Sequence, residues 1–222
     1  MGILRQGRPQ GLEDVDLARL GWSHGDEEIF STQQFIEWFD LRHISKSAAQ
    51  FDSAKLLWLN REYIKEADNP RLATLVKPLV EATLRENAGA NTEVEPIADT
   101  PALSAVIALV KDRCDTLAQV ADAAALFYRP ARSDAALLAQ HVTAAITPAL
   151  ASLKARLATV VWEKAAISAA LKETLAEHQL KMPQLAIPLR VIVTGQAQTP
   201  SLDAVLELFG RERVLHALGS AL

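Results

Sequence analysis

An ammonium group between two hydroxyls can grip phosphate oxygens. The pentapeptide His43-Ile44-Ser45-Lys46-Ser47 offers that combination. Such a loop binds a nucleotide only beside a βαβ sheet that positions the phosphates. Residues 1–42 contain no alternating apolar run that could form a parallel core strand. The simplest reading of the pentapeptide is therefore a polar turn after a helix, with Lys46 solvated. The histidines, His24, His43, His141, His178 and His216, include no i, i+4 pair that would build a metal-binding helix face. Cys114 is the only cysteine, which excludes an internal disulfide and any multi-cysteine zinc site. With no activating partner near it in sequence, it reads as a small hydrophobe.

The elements that would carry these residues are mostly helical. The chain has 222 residues, half of them hydrophobic and 23% charged, as in an ordinary globular protein. Acids outnumber bases 27 to 23, so any nucleic-acid partner would need the bases gathered on one face. No apolar run approaches the roughly 18 residues of a membrane span, and the opening "MGILRQGRPQG" lacks the apolar core of a secretory signal. The cytoplasm is the expected compartment.

Ser31-x-x-Gln34 is a capping box before Phe35, Ile36 and Phe39. Asp52 or Ser53 can cap a helix with Leu56, Leu57, Leu59 and Ile64, and also Trp58, as core. Asn69-Pro70 and Thr100-Pro101 each start a further helix, and Pro148 breaks or restarts one. Another amphipathic helix runs over 162–178. Gly210 divides a short helix beginning near Asp203 from a last one carrying Val214, Leu215 and Leu218. "RVIVTG" has strong β propensity but is short, isolated and close behind Pro188, so strand and packed helix are both open. Residues 89–99, "GANTEVEPIAD", read as a linker.

Four phrases go further: "LARLGWSHGDEEIFS", "SKSAAQFDSAKLLWLNREYI", "DRCDTL" and "PLRVIVTGQAQTPSLDAVLELFGRERVL". Together they resemble the C-terminal half of bacterial glutamyl-tRNA synthetases, in that family's order, over residues 17–218. The resemblance implies an all-α fold of two helical subdomains: a stem-contact subdomain over 17–90 and an anticodon-binding bundle over 91–222. Residues 1–16 match nothing in the family, as if the chain were cut inside a linking helix behind an unrelated lead-in. The family's ATP and glutamate sites lie in the half this chain does not match. The resemblance therefore implies no cofactor and no catalytic residue here. It implies a tRNA(Glu)-binding module, with two alternatives: part of a split or truncated ligase acting with a separate catalytic half as partner, or a helical remnant that binds nothing; neither membrane nor DNA is implied.

The site residues are carried over one by one. In the family, the arginine of the "RCDTL" phrase reads the third anticodon base; here it is Arg113. Arg190 matches a residue that packs on an anticodon base. Thr199, Pro200 and Leu202 match a loop that supports the other bases, and Lys172 lies where a basic side chain often faces the anticodon. Arg61 and Lys65, four apart on one helix face, either meet tRNA phosphates or form a solvated basic edge. Lys46 could touch another phosphate.

Overall fold

The computed structural model describes residues 22, 24–25, 30, 32–44, 53–88, 97, 100–129 and 135–222. The lead-in 1–16, Ser31, Lys46, Asp52 and nearly all of the linker lie outside them. Among the described residues there are eleven α-helices and no strand beyond one isolated bridge between Trp22 and Ile44. They are α1 (Thr32–Trp38), α2 (Ser53–Glu66), α3 (Asn69–Ala88), α4 (Leu103–Val110), α5 (Leu117–Ala125), α6 (Ala135–His141), α7 (Thr147–Thr159), α8 (Lys164–Glu177), α9 (Met182–Thr194), α10 (Leu202–Phe209) and α11 (Arg211–Ala221). The all-α expectation holds. Short 3₁₀ turns, Leu41–His43 and Lys111–Arg113, follow α1 and α4.

Apolar residues at helical spacing build the core. Leu150, Leu153 and Leu157 of α7 are fully buried, as are Val76 and Val80 of α3 and Leu185 and Leu189 of α9. Helix α3 packs on α4 and α5, while α8 lies against α7 and α10. Helix α11 packs on α7, α9 and α10, and an α4–α10 contact joins the two groups. One apolar cluster runs through all of them, from Ile64 to Leu218. The α3 residues Leu72, Val76, Val80 and Leu84 precede the linker but belong to this same cluster.

"RVIVTG" is the last part of α9, not a strand. Pro183 occupies the first turn, where its missing N–H costs nothing. Pro188 sits inside the helix, where it leaves a carbonyl without its usual partner. Burial of Leu185, Leu189, Val191, Ile192 and Val193 overrides the β-branched preference. Gly195 ends the helix at φ 76°, in the left-handed region that favours glycine, and its N–H donates to the Val191 carbonyl at 2.9 Å.

The chain before α2 has its own aromatic cluster, in which Trp22 and Phe30 are buried with Phe35 and Trp38 against them. Phe35 and Trp22 meet edge to face at 5.2 Å. Ile36 points away from this cluster and is 65% exposed, because a seven-residue helix has only one stripe to bury. Leu57 and Trp58, expected in the core, are 44% and 41% exposed, since α2 buries only Leu59 and Ile64. His43 lies in the 3₁₀ turn and Ile44 in the bridge to Trp22, so the described part of the pentapeptide is a turn after a helix.

Candidate nucleic-acid interface

The "DRCDTL" phrase turns the chain from α4 into α5. Thr116 caps α5, its Oγ1 accepting from the Gln119 N–H at 3.2 Å. The Gln119 carboxamide oxygen reaches back to accept from the Asp115 N–H at 2.6 Å. Cys114 is buried at 4% exposure. Burial first, then the charge of Asp115, pushes its thiol pKa up; Asp122 adds to the effect. Arg113, next to it, is exposed.

The second wall comes from the turn after α9. Thr194 Oγ1 donates to the Arg190 carbonyl at 2.7 Å and accepts from the Gln196 N–H at 3.1 Å, fixing the exit of the helix. The chain then runs through Thr199-Pro200 to α10. Arg190 Nε donates to Thr199 Oγ1 at 3.0 Å, and Arg113 Nη1 donates to the Thr199 carbonyl at 3.2 Å. Two guanidiniums that are 77 positions apart (190 − 113) therefore converge on one residue. Their acceptors are neutral, so both positive charges remain available to a ligand.

Between these walls lies a cleft of about 410 Å³. Val110, Cys114, Ala123, Leu126 and Phe127 supply its apolar part. Arg113, Gln119, Asp122, Gln196 and Gln198 add donors and acceptors. An apolar bed with a few polar groups suits an unstacked base better than it suits a phosphate.

Arg213 supports the cleft from behind. Its guanidinium donates to the carbonyls of Phe127 and Arg129, each at 2.6 Å, and lies 3.9 Å from the centre of the Phe209 ring. Burial pushes its pKa down, because no carboxylate offsets the desolvation. These bonds fix the turn after α5 that brings Phe127 to the cleft. Nothing in the sequence marked Arg213, because its partners are backbone oxygens more than 80 positions away.

Other residues singled out in the sequence stand differently. Arg61 Nε lies 2.6 Å from Asp115 Oδ1, and Asn60 Nδ2 donates to the Asp115 carbonyl. Lys65 Nζ is 2.7 Å from Glu62 Oε1. The basic pair of α2 is thus occupied within the chain, and Arg61 fastens α2 to the "RCD" turn. Leu202 is buried at 6% exposure and supports the loop from the core side; it offers no face to a base. Pro200 is half-buried at the cleft and can offer one. Lys172 is exposed on α8, and no hydrogen bond or ion pair links it to Arg113, Arg190 or Thr199.

A helical bundle with a base-sized, mostly apolar cleft flanked by Arg113 and Arg190 fits an anticodon-binding class of domain. The anticodon binding domain family matches residues 71–222, and the chain belongs to that family. Over 206 residues, or 93% of the chain, it is 60% identical to a glutamate–tRNA ligase of Janthinobacterium sp. (strain Marseille) and 59% identical to that of Herminiimonas arsenicoxydans. The match covers 42% of the length of each of these relatives. In fold the chain is similar to the crystal structure of a glutamate–tRNA ligase from Elizabethkingia meningosepticum, with a TM-score of 0.81 at 22% identity, covering 99% of this chain and 42% of that one.

Proposed function

We propose that this chain is a tRNA(Glu)-binding module that recognises the anticodon and carries no catalytic group of its own. The observation that carries this reading is the convergence of Arg113 and Arg190 on Thr199 beside the cleft, with both charges left uncancelled. An anticodon base unstacked from its loop exposes its Watson–Crick edge. Cytosine presents the acceptors N3 and O2 to the Arg113 fork, whereas guanine would meet it with donors. Glutamate anticodons end in C and glutamine anticodons in G. Arg113 therefore favours tRNA(Glu) by about 1–3 kcal/mol, the scale of one good base contact. Pro200 and the Arg190 plane give neighbouring bases a surface to lie on. No helix among the described residues is long and apolar enough to cross a membrane, and the cytoplasm, where tRNA is charged, is the proposed compartment.

The test is the affinity of the chain for tRNA(Glu) and tRNA(Gln) transcripts at low and moderate salt. Binding should weaken as salt rises, because phosphate contacts release counterions. Arg113→Gln should narrow the gap between the two tRNAs. Equal affinity of the unaltered chain for both, at either salt, refutes anticodon recognition.

A second reading is favoured by the exposed apolar residues Ile36, Leu41, Leu57 and Trp58, together with the 42% coverage of the relatives. Here the chain works as one part of a glutamate–tRNA ligase whose catalytic half is a separate polypeptide seated on these residues. Mixing the two and assaying glutamate charging decides it; no charging excludes it.

A further inference from the structure

The cleft that contains Arg113 also contains the carboxylate of Asp122. Asp115, Gln119 and Asp122 follow one another at spacings of four and three, which places them on one face of α5 and its approach. All three line the cleft. Asp115 is taken by Arg61. Asp122 is exposed, and its Oδ1 accepts from the Thr83 hydroxyl of α3 at 3.1 Å. Its Oδ2 accepts nothing among the described residues, and Thr83 steadies the carboxylate without neutralising it.

A carboxylate here repels phosphate, so the cleft suits a neutral base edge that has both acceptors and a donor. We propose that Asp122 is a specificity-determining residue, whose free oxygen accepts a hydrogen bond from the exocyclic amino group of a base whose ring acceptors face Arg113. Among the bases this describes the edge of cytosine: O2 and N3 toward the guanidinium, and the N4 amino group toward the carboxylate. Uracil would place O4 against the carboxylate, acceptor against acceptor, and its N3–H against the guanidinium. Arg113 rejects guanine, and Arg113 and Asp122 together reject the other pyrimidine. This inference rests on the anticodon reading above.

The experiment measures binding of the full chain to tRNA(Glu) and to the same transcript with uracil at the third anticodon position. The unaltered chain should prefer cytosine by about tenfold. In Asp122→Asn the amide can donate to O4, and the preference should fall by about threefold or more, the remainder coming from the uracil N3–H against Arg113. Asp112→Asn removes the same charge from an exposed residue that does not line the cleft, and it should keep the full preference. A melting curve of each variant verifies that it is folded. If the unaltered chain prefers cytosine and folded Asp122→Asn prefers it equally, the role of Asp122 is overturned while anticodon binding stands. If the unaltered chain does not distinguish tRNA(Glu) from an unrelated tRNA, the anticodon reading fails and takes this inference with it.

Discussion

The arginines of α2 and of the cleft look alike in sequence but are held by different chemistry. Arg61 meets the Asp115 carboxylate, and its neighbour Lys65 meets Glu62. Arg113 and Arg190 meet the carbonyl and hydroxyl of Thr199. A carboxylate fixes a guanidinium and cancels its charge. A neutral oxygen fixes it and leaves the charge for a ligand. The first arrangement suits a strap between helices and the second a binding site. Arg213 is a third case, in which neutral carbonyls hold a guanidinium that is mostly buried and works only within the fold.

Arg213→Ala should have the largest effect on stability. It strips partners from the carbonyls of Phe127 and Arg129 and uncovers Phe209, at a cost of about 1–3 kcal/mol or more in urea unfolding. A change below about 0.5 kcal/mol would mean that those carbonyls find water at no cost. Arg190→Ala should weaken tRNA(Glu) binding by about 1–3 kcal/mol and barely move the unfolding midpoint. Arg61→Ala should show the reverse: a loss of about 1 kcal/mol of stability or less, because the pair is partly exposed, with little change in binding. Equal binding losses in these two variants would erase the distinction between strap and site.

The smallest effect concerns Tyr128, another group held by a neutral oxygen. Its hydroxyl donates to the Pro101 carbonyl at 2.7 Å, and burial pushes its pKa up to about 12 from 10.0. A raised folded pKa means that this contribution is complete below pH 10 and is lost as pH climbs through 10 toward 12. The stability advantage of the unaltered chain over Tyr128→Phe should therefore shrink across that interval and not below it. A constant difference would show that the hydroxyl plays no part.

Much of the helical plan could be read in advance because helix signals are local. Pro148 does start α7, and Gly210 does separate α10 from α11. The strand-like "RVIVTG" could not be decided locally. β-branched residues favour a strand only where a partner strand exists, and here packing on α6 and α11 supplies a helical setting. Trp58 and Leu57 lie outside the core for a related reason. Apolar character says that a residue can be buried; whether a neighbouring element covers it depends on the fold.

Helical periodicity, the breaks at proline and glycine, and the phrases whose likeness pointed to Arg113 and Arg190 are all written locally along the chain. Tertiary structure alone decided which charges are spent. Arg61 and Arg113 are the same side chain, and each could have met a carboxylate or a carbonyl. The choice was made by the turn at Gly195 that carries Thr199 to Arg113, and by the docking of α2 that carries Arg61 to Asp115. Electrostatic pairing acts over a few ångströms in space, and separation along the chain does not encode that distance.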